Sequence, residues 1–208
     1  MNKEDILLKT EAFIKNKMKD YDSGHDWWHI VRVRNLARMI NSRENLEDPF
    51  LVEMAALLHD YSDSKFAGTT AADETETLRV FLMECTVNEN SINRILNVMH
   101  YISFSSRNKS GKKEDVLLDI IQDADRLDAI GAIGIARAFN YGGFRNNRIY
   151  SPDENENKRS TIRHFDDKLL LLKSLMNTVT ARQLAKTRHK YMEDFLSQFH
   201  KEWNLSDF

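Results

Sequence analysis

The chain is 208 residues long, 41% hydrophobic and 30% charged, the make-up of a soluble globule and not of a disordered chain. Thirty Lys and Arg against 32 Asp and Glu leave a formal charge of −2, without the polybasic footprint of a dedicated nucleic-acid binder. A single cysteine, Cys85, excludes a disulfide scaffold and a cysteine-built zinc site, and no apolar run approaches a membrane span.

Seven Gly and two Pro leave long stretches without breakers, which favours helices. Residues 3–19 place Ile6, Leu7, Phe13, Ile14 and Met18 near helical spacing. A second periodic run covers 26–42, with His29, Val33, Leu36 and Ile40 on one stripe. Asp48 followed by Pro49 is a helix start, an N-cap with proline at the first helical position. The segment it opens, PFLVEMAALLHDY, is apolar on most of its surface and is expected to be buried.

Further helices are predicted near 70–84, 89–104 and 114–128, the last continuing through Gly131 and Gly134. Residues 140–158, rich in Asn, Gly and charge, read as a loop. Two closing helices are expected across 160–203. One carries Ile162, Phe165, Leu169, Leu172 and Met176. The other carries Leu184, Met192, Phe195 and Phe199 behind the capping pattern Thr180-x-x-Gln183. No alternating strand pattern and no repeat is present. The expectation is an all-α, cytoplasmic, single domain over 1–208, with its core across 20–140 and the loop 140–158 as a cover.

Polar residues on apolar helix faces are the informative exceptions. His29 shares an apolar stripe, and His59 and Asp60 end the most apolar helix. In LLDIIQDADRLDAIGAIG, Leu118, Ile121, Asp125 and Asp128 fall on one stripe while Asp123 points elsewhere. Buried carboxylates are costly unless paired or bound to metal. Two imidazoles and two carboxylates from three helices make a first shell for a divalent ion: the nitrogens suit Mn, Fe, Co, Ni or Zn, and the carboxylates favour the harder end. Spacing alone leaves Asp125 and Asp128 as alternatives for the fourth ligand. Acid should weaken such a site, because an imidazole binds metal only when neutral.

His29, then His59-Asp60, then Asp125 resembles the H…HD…D signature of the HD-domain metal-dependent phosphohydrolases. The segments GHDWWHIVRV (24–33), LLHDYSDSK (57–65), DADRLDAIGAIGIAR (123–137) and HFDDKLLLLKSLMNT (164–178) are similar to a bacterial subgroup of that family implicated in nucleotide pyrophosphohydrolysis. The resemblance runs from about residue 20 to Trp203. It implies an all-helical fold and His29, His59, Asp60 and Asp125 as ligands of one ion, often Mn²⁺, with Mg²⁺, Co²⁺, Ni²⁺, Fe²⁺ and Zn²⁺ as alternatives. The resemblance, not the spacing, selects Asp125.

An anionic phosphorus centre calls for cationic side chains beyond the metal. Lys65, in the short loop after the His-Asp pair, is the first choice, with Arg32 one turn beyond His29 and Arg137 behind it; Asp128 stands beside them on the inward stripe. His164 and Lys168 lie four apart on a stripe with Leu171 and Leu175, so both are expected to face the domain. Tyr141 and Arg145, in the cover, are further substrate contacts. His25, Asp26 and Asp63 are general acid/base or ligand-orienting candidates, although Asp26 is also placed to cap a helix. Trp27, Trp28 and Tyr101 sit at helical spacing, where aromatics more often serve as core. The leading expectation is pyrophosphate release from a nucleoside triphosphate by metal-activated water. The alternatives are a nucleoside 5′-monophosphate phosphatase, a cyclic-nucleotide or (p)ppGpp phosphodiesterase, and a nucleotide-sensing module without turnover. The partner is a small nucleotide; a homodimer is compatible with the sequence.

Overall fold

Every regular element in the computed structural model, which describes residues 1–18, 26–61, 71–102 and 115–206, is a helix, and no strand occurs among them. No described helix is long and apolar enough to cross a membrane. The described residues fall into two compact units, the first ending at Ala124 and the second opening at Asp125.

The first unit holds α1 (Lys3–Lys17), α2 (Trp27–Glu44), α3 (Pro49–Leu58), α4 (Ala71–Glu84), α5 (Glu89–Tyr101) and most of α6 (Val116–Asp128). Side-chain caps set several starts: Asn2 accepts from the Asp5 N–H, Asp26 from His29, Asp48 from Phe50 and Asn88 from Ser91, each satisfying a backbone donor the helix itself leaves without a partner. Asn45 closes α2 in the left-handed region at φ 49°. Helix α3 packs against α1, α2 and α5. Val52, Met54 and Leu58 on it are 0% exposed and Leu57 1%. Burying such a side chain contributes about 1.5–3 kcal/mol. That keeps α3 central and delivers its C-terminal His59 to the interior.

Arg94 ties α5 to the start of α6. Its guanidinium reaches Glu47 at 2.6 Å and Asp115 at 2.8 Å, and these two carboxylates hold its pKa above the ordinary guanidinium value. Asp115 in turn accepts from the Leu117 N–H at 2.9 Å.

The second unit contains α7 (Gly131–Phe144), α8 (Glu154–Asn157), α9 (Thr161–Asp167), a 3-10 segment (Leu169–Leu175) and α10 (Val179–Trp203). Helix α7 packs on α9 and α10, and the 3-10 segment on both α9 and α10. Phe165, 0% exposed, lies 6.2 Å from the Phe139 ring and 5.9 Å from that of Phe195.

Several expected boundaries move. The run from 114 does not continue through Gly131: a new helix starts there, with Gly131 at φ 77°. Helix α7 then extends through Tyr141, Gly142 and Gly143, so the loop expected from 140 begins only at Arg145 and is interrupted by α8. Its chain is also tied back, since Thr161 and Ile162 donate to the carbonyls of Arg148 and Ile149. The single stripe from Ile162 to Met176 is broken at Lys168, with φ −141° and ψ −57°. Beyond that point Leu169 and Leu172 are buried three residues apart, the spacing that a 3-10 segment aligns on one side. Finally, Thr178 and not Thr180 caps α10, accepting from the Ala181 N–H.

Candidate metal centre

His59 follows the last residue of α3 with αR backbone geometry. Its Nδ1 lies 2.8 Å from the carbonyl of Ala56. A carbonyl can only accept, so Nδ1 carries the proton and Nε2 presents a lone pair. His29, in the first turn of α2, is 0% exposed and His59 2%. The two Nε2 atoms are 3.3 Å apart. Asp60 divides its carboxylate between them, Oδ2 standing 3.3 Å from Nε2 of His29 and Oδ1 3.5 Å from Nε2 of His59.

Asp125 completes the cluster. It lies on α6, three residues before that helix ends. One ligand atom each from His29, His59 and Asp125 lies within 4.8 Å of the others. Two donors bound about 2.0–2.1 Å from a shared ion stand roughly 3 Å apart at octahedral or tetrahedral angles. The His29, His59 and Asp60 separations match that spacing. Two buried imidazoles and a part-buried carboxylate so close together build up negative potential that a divalent cation relieves. The donors, two nitrogens and two carboxylates, suit a first-row transition ion.

The remaining expected site residues are distributed as follows. Asp26 caps α2 through the His29 N–H at 2.9 Å, so it orients the ligand helix and the ligand's own backbone. Arg32 is half-buried one turn beyond His29 on α2. Asp128 does not face the cluster as a competing ligand: it is 2% exposed and paired with Arg137 at 2.8 Å, so two expected substrate contacts engage each other. Asp123, expected to point away from the interior, is 0% exposed. Tyr141, Arg145, His164 and Lys168 belong to the second unit. His164 and Leu171 are exposed, against the expectation that this stripe faces inward, because the helix breaks at Lys168 and the two no longer share a continuous face. Partial burial and the Lys168 ammonium nevertheless hold the His164 pKa below the ordinary imidazole value. Trp28 is 63% exposed and does not serve as core. His25, Asp63 and Lys65 lie outside the described residues.

Sequence reasoning missed Arg188. Its guanidinium donates to the carbonyl of Leu127, near the end of α6, and its stem occupies the space a side chain at Gly131 would need. Burial pulls its pKa below the ordinary value, opposed by the charge of Asp128. Only the glycine hinted at it, since an arginine in an amphipathic helix ordinarily reads as solvated.

The HD domain family model matches residues 27–130, half of the chain. YpgQ of Bacillus subtilis is 39% identical over 192 residues, 92% of this chain and 90% of its own length. The crystal structure of Bacillus subtilis YpgQ in complex with ADP is similar at a TM-score of 0.77 and 35% identity, covering 94% of this chain and 97% of that one. The crystal structure of an HD-superfamily hydrolase from Bacillus thuringiensis is similar at a TM-score of 0.78 and 40% identity, covering 98% and 99%.

Proposed function

The chain belongs to the HD domain family and is a metal-dependent hydrolase, and on that premise we propose that it is a phosphohydrolase acting on nucleotides, releasing pyrophosphate from a nucleoside triphosphate by attack of water at the α-phosphorus. The observation that carries this reading is the convergence of His29, His59 and Asp125 donor atoms within 4.8 Å, with Asp60 against both imidazoles at 3.3 and 3.5 Å. A divalent ion held there, Mn²⁺ in the first instance, supplies the charge that polarises a phosphoryl oxygen and acidifies water. The ADP bound to YpgQ, a relative over most of both chains, supports a nucleotide as the ligand.

The chain's own residues have distinct tasks in this scheme. The Ala56 carbonyl fixes the His59 tautomer and aims Nε2 inward. Asp26 holds the first turn of α2, and with it His29, in register. Arg32, one turn beyond His29 on the same helix, is a cation suited to a phosphate oxygen. Its permanently charged fork suits two such oxygens at once.

The test is a panel of nucleoside tri-, di- and monophosphates and cyclic nucleotides incubated with the Mn²⁺-loaded protein, with phosphate and pyrophosphate measured separately. Pyrophosphate from triphosphates is the expected product, and His59→Ala and Asp125→Ala should each lose at least about 100-fold in rate. Full activity in either variant would defeat the ligand assignment. Phosphate from monophosphates alone would move the substrate class, and binding without turnover would make the protein a sensor.

A further inference from the structure

Two residues beyond His59, the carbonyl of Tyr61 accepts a hydrogen bond from Nζ of Lys17 at 2.7 Å. The same ammonium lies 3.0 Å from Oε1 of Glu74 and 3.6 Å from the centre of the Tyr61 ring. The three residues come from the last turn of α1, the stretch following α3, and α4, all within the first unit. This is an interior arrangement: Tyr61 is 5% exposed, and the Lys17 and Glu74 side chains are 23% and 5% exposed. Phe13, one turn before Lys17, stacks on the Tyr61 ring at 5.6 Å.

The position of this contact gives it meaning. Helix α3 ends at Leu58, so His59 and Asp60 lie past its regular ladder. The Tyr61 N–H bonds to the Leu58 carbonyl at 3.0 Å, a single turn past the end of the helix. Carbonyls at a helix C-terminus lack helical partners and carry the negative end of its dipole. Lys17 grips one of them while packing on the ring of the same residue. Both backbone and side chain of Tyr61 are thereby fixed, immediately after the two ligands.

Charge also fits the task. An unneutralised ammonium on the residue next to Asp60 would disfavour a bound cation. Glu74 supplies the opposite charge at 3.0 Å, so the clip grips the chain without adding net positive charge. Immobilising a lysine forfeits much rotamer freedom, which a single solvated contact would not offset.

We propose that Lys17, held by Glu74, is a positioning residue that orients the His59–Asp60 stretch for metal binding; this rests on the reading of His29, His59, Asp60 and Asp125 as ligands. Lys17 touches neither metal nor substrate in this role. It acts through the backbone of Tyr61.

The experiment is isothermal titration of the metal-free, full-length protein with Mn²⁺, for wild type, Lys17→Met, Lys17→Arg and Glu74→Gln, alongside urea unfolding of each. Lys17→Met keeps the aliphatic stem and removes the donor, and should weaken Mn²⁺ binding about tenfold, the size typical of losing a group that orients a ligand. Lys17→Arg restores a cationic donor and should stay within about threefold of wild type. Glu74→Gln leaves the bond to Tyr61 without its counter-charge and should weaken binding by a smaller factor than Lys17→Met. A purely structural role would lower the urea midpoint and leave the dissociation constant of the folded protein unchanged; that result overturns the proposal. If Lys17→Met does not fold, Glu74→Gln decides, and wild-type affinity there overturns it equally. A wild-type protein that binds no divalent ion removes the ligand assignment and this inference with it, whereas wild-type binding matched by both variants removes the inference alone.

Discussion

Replacing Gly131 by alanine probes how the end of the ligand-bearing helix is held. Gly131 sits at φ 77°, where a Cβ costs about 1–2 kcal/mol through its clash with the carbonyl that follows. A Cβ built there would also stand 3.0 Å from Cγ and 3.1 Å from Cβ of Arg188, inside the 3.5–4.0 Å of an ordinary carbon contact. Arg188 is not free to swing away, because its guanidinium donates to the carbonyl of Leu127. Surrendering that bond would strand a carbonyl of a residue that is 0% exposed, at about 1–3 kcal/mol. With partial relaxation of the arginine stem, the variant should lose about 2–4 kcal/mol of stability. For a chain of this size that is a fall in melting temperature of about 4–16 °C. Urea unfolding of Gly131→Ala, Arg188→Ala and the double variant separates the two parts. In the Arg188→Ala background the Cγ contact and the Leu127 bond are gone while the Cβ contact at 3.1 Å stays, so the loss should shrink to about 1–3 kcal/mol, leaving a coupling of about 1 kcal/mol. A loss below about 0.5 kcal/mol in the single variant, or equal losses in both backgrounds, would refute the reasoning.

Two further outcomes follow from burial and charge. Phe165, 0% exposed between Phe139 and Phe195, should cost about 3–5 kcal/mol when cut to alanine; a loss under about 1 kcal/mol in urea would show that the second unit's core does not depend on it. His164 has a folded-state pKa below its ordinary value of 6.5, through burial and then Lys168. The unfolded chain therefore takes up this proton at higher pH than the folded chain. Stability from His164 is whole above the unfolded-state pKa and declines as pH falls toward the folded-state value. His164→Gln should flatten that part of the curve of urea midpoint against pH, and an unchanged slope between pH 7 and 5 would contradict it.

The elements most legible in the sequence were those with local chemistry at their ends. Asp48-Pro49 marks the start of α3 because a cap and a pre-set φ act within a few residues. An unbroken apolar run then identifies a buried helix, and His59 and Asp60 stand out as polar residues at its end. The break at Lys168 was not legible. Apolar residues three apart satisfy both an α-helix and a 3-10 segment, and the outcome depends on what Leu169 and Leu172 pack against. The direction of Asp123 failed for a different reason. A helical wheel yields relative directions, but α6 is enclosed widely, with Gln122 at 7%, Asp123 at 0%, Arg126 at 6% and Asp128 at 2% exposure. No single inward stripe exists on such a helix.

Composition and periodicity, then, determined by themselves that the chain is helical, and the placing of His29, His59, Asp60 and the pair Asp125 and Asp128 on apolar faces marked them as a set, from which the family resemblance picked Asp125. Tertiary structure alone decided that Asp128 answers to Arg137, and that Lys17 and Arg188 hold the chain just beyond His59-Asp60 and Asp125. Helix formation and capping are settled among neighbours a few residues apart. Lys17 and Tyr61, 44 positions apart, and Arg188 and Leu127, 61 apart, meet only after the hydrophobic faces have packed, and a lysine or arginine carries no local mark of the distant carbonyl it will find.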